Sequence, residues 1–297
     1  MKVMITGANG HFGKLLARRL RTEWNDIEIV GVDVHHEPDI HGEMKFRTGD
    51  TRKKRIEDIF KVEGKIDAVI HLAFESGHKH IATSDELMLT NVYGTFHMLE
   101  LAEKYEVSAF IYPSSTIVYG ARPDNPALIR ENHPLLGNRD VPPIRDRIEA
   151  DLICQTFARG CSNNVRVVVL RTVPIWRSGG TGILTNYMQG DFVPTPLGFD
   201  PMFQIIFDNE VLDAFTLALK NPEADGAYNI RGRIFAPLSK VVRDLDKTPV
   251  PLPGFLIQTQ GRALWAENLK FDLNYLKYNF AVDGSRAKEE LGYNPLK

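Results

Sequence analysis

A chain of 297 residues suits one large domain or two, and at this length folding buries about 75% of the unfolded surface, so no metal or disulfide staple is required. Hydrophobic residues make up 43% and charged residues 25%, ordinary globular usage that excludes a disordered or fibrous chain. Lys plus Arg number 36 against 38 for Asp plus Glu, a net charge of -2 that is not the footprint of a nucleic-acid binder. The apolar start Met1 to Thr6 is interrupted at once by Gly7 to Gly13, so it does not read as a signal peptide, and no run of about 18 apolar residues spans a bilayer. Cys154 and Cys161 lie in one predicted helix, where they make awkward disulfide partners. Two free thiols in a soluble, cytoplasmic chain are expected.

In chain order, Val3 to Thr6 reads as a strand and Phe12 to Arg21 as a helix with 3-4 apolar spacing. Ile27 to Asp33 is a second strand and Met44 to Phe46 a weaker third. Thr51 to Val62 is a charged helix, with Arg52 to Arg55 on its solvated face. Asp67 to Ala73 is a fourth strand, Ser84 to Tyr105 a long helix and Val107 to Tyr112 a fifth strand. Ile144 to Arg159 is a helix and Val165 to Leu170 a sixth strand. Near-continuous apolar strands are buried on both faces, as in a parallel sheet. Strand–helix alternation predicts an α/β, doubly wound (Rossmann) sheet, with a dinucleotide-binding domain over 1–172. A smaller C-terminal substrate lobe, partly interleaved with it, is expected over 173–297. There Pro249, Pro251 and Pro253 suggest an extended loop.

The motif that carries most chemistry is Gly7-Ala-Asn-Gly10-His-Phe-Gly13, between the first strand and the first helix. Gly7 permits a tight turn, Gly10 lets backbone approach a pyrophosphate, and Gly13 lets the helix pack on the sheet. Phosphates then meet a positive helix N-terminus. Asp33 ends the second strand, 20 residues after Gly13. A carboxylate there accepts hydrogen bonds from both adenine-ribose hydroxyls and repels a 2'-phosphate. Val34, His35 and His36 supply no Arg to clamp one, so NAD is favoured over NADP.

With these residues placed, the chain resembles the extended short-chain dehydrogenase/reductase family, the NAD-dependent sugar-nucleotide epimerases and dehydratases. The resemblance covers nearly the whole chain. It runs through TGANGHFG at 6–13, VGVD at 30–33, GDTRK at 49–53, DAVIHLA at 67–73 and NVYGTFHMLE at 91–100. It continues with FIYPSSTIVYG at 110–120, RIEADLICQTFAR at 147–159, GAYNI at 226–230 and SRAKEELGYNP at 285–295. It implies one bound NAD, a C-terminal lobe for a nucleotide-linked sugar, and a dimer. It assigns the cofactor Gly7, Asn9, Gly10, His11, Phe12, Gly13, Asp33, Asp50, Thr51, Leu72, Ala73, Asn91 and Ser114. Asp50 would meet the adenine and Asn91 would brace the active-site backbone. Ser115 would be the catalytic hydroxyl. Plainer readings stand beside these: Asp50 as a helix cap, Asn91 as a polar spot in a helix, the serines as turn residues.

The same resemblance implies a Tyr-x-x-x-Lys pair on the helix after the serines, whose phenolate acts as general base. Alignment puts Pro143 and Arg147 there. No Tyr lies between Tyr119 and Tyr187, no Lys lies between Lys104 and Lys220, and no Tyr has a Lys four residues later. Arg147 could hydrogen-bond the nicotinamide ribose and supply positive charge, but it releases no proton near neutral pH and so cannot serve as a proton carrier. Pro143 suits a helix start. Pro174 stands where the family has an Asn that contacts the nucleotide sugar. His78 and His80 are candidate substitute bases; Tyr119 is another, with packing as the reading preferred for it. The His pair 78/80 and the group His35, His36 and His41 lack carboxylates at ligand spacing, so no metal is expected. Apolar residues around the helices at 84–105 and 147–159 predict a homodimer.

Three functions remain open on the sequence. The first is an NAD-binding protein of epimerase/dehydratase type with an altered or lost catalytic site and a small-molecule substrate such as a nucleotide sugar. The second is a non-catalytic NAD/NADH-responsive binding or regulatory protein. The third is a reductase in which substrate or water supplies the proton. No nucleic-acid or membrane partner is expected.

Overall fold

The structure is a computed structural model, and it describes residues 1–35, 43–75, 83–160, 165–177, 187–188, 190–257 and 274–295. Strands β1 (Lys2–Thr6), β2 (Glu28–Asp33), β3 (Lys45–Thr48), β4 (Ala68–His71), β5 (Ala109–Ser115) and β6 (Arg166–Thr172) join a later strand, β10 (Gly226–Ile230). They form one seven-stranded sheet in the order β10-β6-β5-β4-β1-β2-β3, parallel at every pairing. The chain winds outward from β1 through β2 to β3, then returns to β4 and winds the other way. That reversal opens a crevice beyond the carboxyl ends of β1 and β4, where ligands of such sheets bind.

The strand period divides the core in two. Val3, Ile5, Ala68, Ile70, Ile111, Val168 and Leu170 face one layer. There they meet α1 (His11–Glu23) through Leu16 and Leu20, and α6 (Asp208–Lys220) through Phe215 and Leu219. Their neighbours Met4, Val30, Val69, Phe110, Val167 and Val169 face the other layer. Those meet α2 (Ile56–Glu63), α4 (Gly94–Lys104) and α5 (Pro142–Gly160) through Phe60, Leu99 and Phe157. A single residue's slip in register would exchange the two faces, so the apolar pattern pins every strand.

Several boundaries differ from the sequence reading. Helix α2 begins at Ile56, not Thr51, because Asp50 gathers residues 51–53 into a turn: it accepts from the Arg52 amide at 2.9 Å, and its carbonyl accepts from the Lys53 amide. The run from Arg52 to Arg55 is therefore turn rather than helix face. The helix expected over 84–105 is α3 (Ser84–Met88), a π-helical turn (Leu89–Tyr93) and α4. The prolines expected in a loop lie in and just after a strand, β12 (Thr248–Leu252), which pairs with β8 (Phe192–Pro196). Pro249 and Pro251 alternate, so their missing donors fall on one edge and leave the other free to pair. Beside these, β9 (Met202–Phe207) lies between β11 (Ile234–Pro237) and β7 (Ile175–Trp176). Short helices also follow, among them α7 (Leu238–Asp244), α8 (Asn274–Lys277) and α9 (Ser285–Glu290).

Candidate cofactor cleft and its catalytic end

The β1–α1 turn is built by exclusion of side chains. Gly7 has φ +70°, and a Cβ there would stand 2.8 Å from the backbone of Leu72 and Ala73. A Cβ on Gly13 would stand 2.5 Å from the Ala8 carbonyl oxygen. Gly10 caps α1 in an extended conformation with no side-chain hydrogen bond, so the first-turn N–H groups are left to an outside acceptor. Asp33 holds the turn from the next strand. Its Oδ2 accepts from the Asn9 amide at 2.9 Å and its Oδ1 from the Val34 amide at 2.8 Å. Each oxygen keeps acceptor capacity for a hydroxyl. Asn9 donates its side-chain amide to the His35 carbonyl, while its own Oδ1 is buried without a hydrogen-bond partner. The turn suits a dinucleotide: the cradle tolerates no Cβ, the helix end is uncapped, and a buried acceptor is unspent.

The neighbouring walls are tied to this turn by a buried relay. The Ala73 amide donates to Thr6 Oγ1 at 3.4 Å, and the Thr6 hydroxyl lies 2.7 Å from His71 Nδ1. His71 Nε2 lies 3.2 Å from Thr95 Oγ1, whose proton goes to the Asn91 carbonyl at 2.6 Å. With that proton spent, His71 must donate from Nε2 and accept at Nδ1. Burial holds its pKa down at about 3, so the ring is neutral. Asn91, in the π-helical turn, clasps the Glu75 backbone: its Oδ1 accepts from the amide at 2.7 Å and its Nδ2 donates to the carbonyl at 2.8 Å. The same Nδ2 reaches the buried Asp146 at 3.1 Å. Asp50 does not cap α2. Burial pushes its carboxyl up, but the Arg52 guanidinium fork more than offsets this and leaves it below its usual value. Thr51 is buried against Gly94, where a Cβ would come within 2.7 Å of the Thr51 hydroxyl.

The other end of the cleft is set by β5 and α5. Adjacent serines on a strand point opposite ways. Ser114 points inward and donates to Asp151 Oδ2 at 2.6 Å, so its hydroxyl is spent inside the protein. Ser115 ends the strand and caps a single 3₁₀ turn (Thr116–Tyr119), accepting from the Ile117 amide at 3.4 Å. Pro142 and Pro143 open α5, where fixed φ and a missing N–H cost nothing. One turn on, Arg147 donates to the Pro113 carbonyl at 2.7 Å and lies 3.7 Å above the Phe74 ring. Burial lowers its pKa, yet a guanidinium stays charged at any working pH. Tyr119 is no substitute base. It is fully buried, donates to Asn229 at 2.7 Å and accepts from Arg171 at 2.7 Å, and burial pushes its pKa up to about 12.

Beneath this end runs a fully buried ion pair. Arg171 meets Asp151 through two bonds of 2.9 and 2.7 Å, and Gln155 donates to the same carboxylate at 2.7 Å. Asp151 sits one helical turn after Arg147, a spacing visible in the sequence once α5 is placed. Phe74 directly follows Leu72 and Ala73, and nothing in the sequence announces its partner. At the opposite end, His11 opens α1 with its Nε2 2.6 Å from Asp208 Oδ2, and Phe12 is partly buried beside it. His36, His41, His78, His80 and Cys161 lie outside the described residues; Cys154 is free and buried. Among the described residues no three His, Cys, Asp or Glu side chains cluster as metal ligands, and no helix is long and apolar enough to cross a membrane.

This architecture is that of solved sugar-nucleotide enzymes. A dTDP-glucose 4,6-dehydratase from Bacillus anthracis, in complex with NAD, superposes with TM-score 0.74 at 19% identity, over 100% of this chain and 92% of that one. A UDP-glucose 4-epimerase from Thermotoga maritima gives TM-score 0.73 at 20% identity, over 99% and 94%. In sequence, an uncharacterized protein of Mycobacterium tuberculosis is 26% identical over 303 residues, 99% of this chain and 80% of its own. The dTDP-D-glucose 4,6-dehydratase of Dictyostelium discoideum is 31% identical over 134 residues, 40% of this chain and 30% of its own. The profile of the NAD dependent epimerase/dehydratase family matches residues 3–176, and the chain belongs to that family.

Proposed function

We propose that the chain binds NAD in preference to NADP and has an altered catalytic site in which Arg147 replaces the family's lysine and no tyrosine base remains. The observation that carries this reading is the setting of Arg147 and Pro143. The guanidinium is held between Phe74 and the Pro113 carbonyl, two residues before Ser115 on β5, and its neighbour one turn earlier is a proline. If bound there, NAD would lie on the glycine turn with Asp33 at the ribose, and would supply hydride chemistry. Among the described residues at this end of the cleft, Ser115 then offers a hydroxyl and Arg147 a permanent cation. Such a pair binds and polarises a carbonyl, hydroxyl or carboxylate of a small molecule, with a nucleotide sugar as the expected class. It does not abstract a proton. The same observation favours, as second reading, a non-catalytic protein that responds to NAD against NADH.

A homodimer is part of the proposal. Met88, Leu89, Tyr93 and Phe96 stand exposed along α3 to α4, and Leu152 on α5. The test of function is turnover of UDP- and dTDP-sugars, followed by absorbance of reduced nicotinamide and by product analysis. General acid–base catalysis contributes about 10²- to 10⁴-fold. The wild type is therefore expected at least about 100-fold below a Pro143→Tyr/Arg147→Lys variant. Ordinary wild-type turnover of these sugars would overturn the reading.

A further inference from the structure

We propose that Arg177 is a pyrophosphate-binding residue of the cofactor cleft, held in readiness over the glycine turn by Asp208. The proposal rests on the reading that this cleft takes NAD. Arg177 follows β7, on the segment leaving the sheet after β6, and its guanidinium lies 5.5 Å from the Phe12 ring centroid in the first turn of α1. Its Nε is 3.7 Å from Asp208 Oδ1, while Asp208 Oδ2 is 2.6 Å from Nε2 of His11. One carboxylate, at the start of α6, therefore gathers two basic side chains around the open end of α1.

The geometry of that carboxylate singles out Arg177. At 3.7 Å the two charges attract but make no hydrogen bond, and Asp208 Oδ1 is buried without a hydrogen-bond partner. A planar guanidinium makes its strongest bonds to phosphate oxygens, in paired N–H···O geometry. A pyrophosphate at the α1 N-terminus carries two negative charges and offers several such oxygens. Asp208 alone would repel it. Exchange of Arg177 from the carboxylate to the phosphate keeps both charges satisfied, with His11 left on Asp208.

The roles have opposite signs, and that makes them testable. NAD, ADP and adenosine are titrated by calorimetry into the full-length protein and into the Arg177→Ala and Asp208→Asn variants. Arg177→Ala is expected to weaken NAD and ADP about tenfold and to leave adenosine, which has no phosphate, unchanged. Asp208→Asn, which removes the repelling charge but keeps the shape, is expected to tighten NAD and ADP severalfold. Wild-type affinity in Arg177→Ala, an equal loss for adenosine, or weaker ADP binding in Asp208→Asn would overturn the assignment while leaving the cofactor reading intact. A wild-type protein that binds none of the three ligands removes that reading, and this inference with it.

Discussion

The two ends of the cleft answer to different physics. At the glycine turn, function depends on side chains being absent: a Cβ on Gly7 or Gly13 would enter backbone at 2.8 and 2.5 Å. At the α5 end, function depends on which side chains are present, and Pro143 and Arg147 fit their places without strain. A constraint set by backbone contact admits no substitute, because nothing smaller than glycine exists. A constraint set by side-chain chemistry admits any residue that packs. On the proposed reading, the cofactor turn is therefore kept while the acid–base pair is replaced at positions whose packing the fold accepts.

The comparison breaks first if the α5 end is slack as well as altered. Its foundation is the Arg171–Asp151 pair, both side chains fully buried. Loss of one partner strands a charge in a dry interior, which costs about 3–5 kcal/mol. Asp151→Ala is expected to lose that much in urea unfolding, because Ser114, Gln155 and Arg171 each lose their bonds to the carboxylate and the Arg171 charge loses its counter-ion. A loss below about 1 kcal/mol, the range of a surface pair, would mean that this end has decayed in structure too.

Gly13→Val tests the other side. Overpacking against the Ala8 carbonyl is expected to cost about 3 kcal/mol and to abolish measurable NAD binding. A variant that kept wild-type affinity would show that the turn is not the site.

The smallest expected effect sharpens the link between the ends. His71 is held neutral at about 3 against 6.5 for a free histidine. The folded state thus takes up fewer protons than the unfolded chain between those values. Its contribution is full above pH 6.5 and is lost as pH falls toward 3, at about 1.4 kcal/mol per pH unit. Between pH 7 and pH 5 the wild type is expected to lose about 2 kcal/mol more than His71→Gln, read from urea midpoints at both pH values. Parallel pH dependence in the two proteins would place the histidine outside the buried relay.

The fold was legible because each strand is short, β-branched and bounded by helical periods, as in Val165 to Leu170 and Ile27 to Asp33. The cofactor turn was legible because its glycines and Asp33 sit at fixed distances along the chain. Local exceptions were not. The start of α2 was displaced by a hydrogen-bonded turn at Asp50, and the π-helical turn at 89–93 has no periodic signature distinct from an α-helix. The alternating prolines at 249 and 251 looked like loop because their pairing partner, β8, lies some fifty residues away. The replacement of the expected pair was visible as a lack of Tyr and Lys. What surrounds Arg147 was not, because Phe74 reaches it from the segment after β4 and Pro113 from β5. For Tyr119, the packing role preferred on the sequence is the one that its full burial supports.

The buried ion pair also bears on how such a site can change over generations. Arg171, Asp151, Ser114, Tyr119 and Asn229 share one connected set of buried bonds, and replacing either member of the ion pair alone passes through an intermediate with an orphaned charge. Pro143 and Arg147 lie outside that set of bonds, so a change at either orphans none of its members. Mutational drift is thereby channelled: the buried ion pair waits for two simultaneous changes, while the positions at the start of α5 are held by fewer partners. A protein of this build loses or trades its chemistry long before it loses its shape.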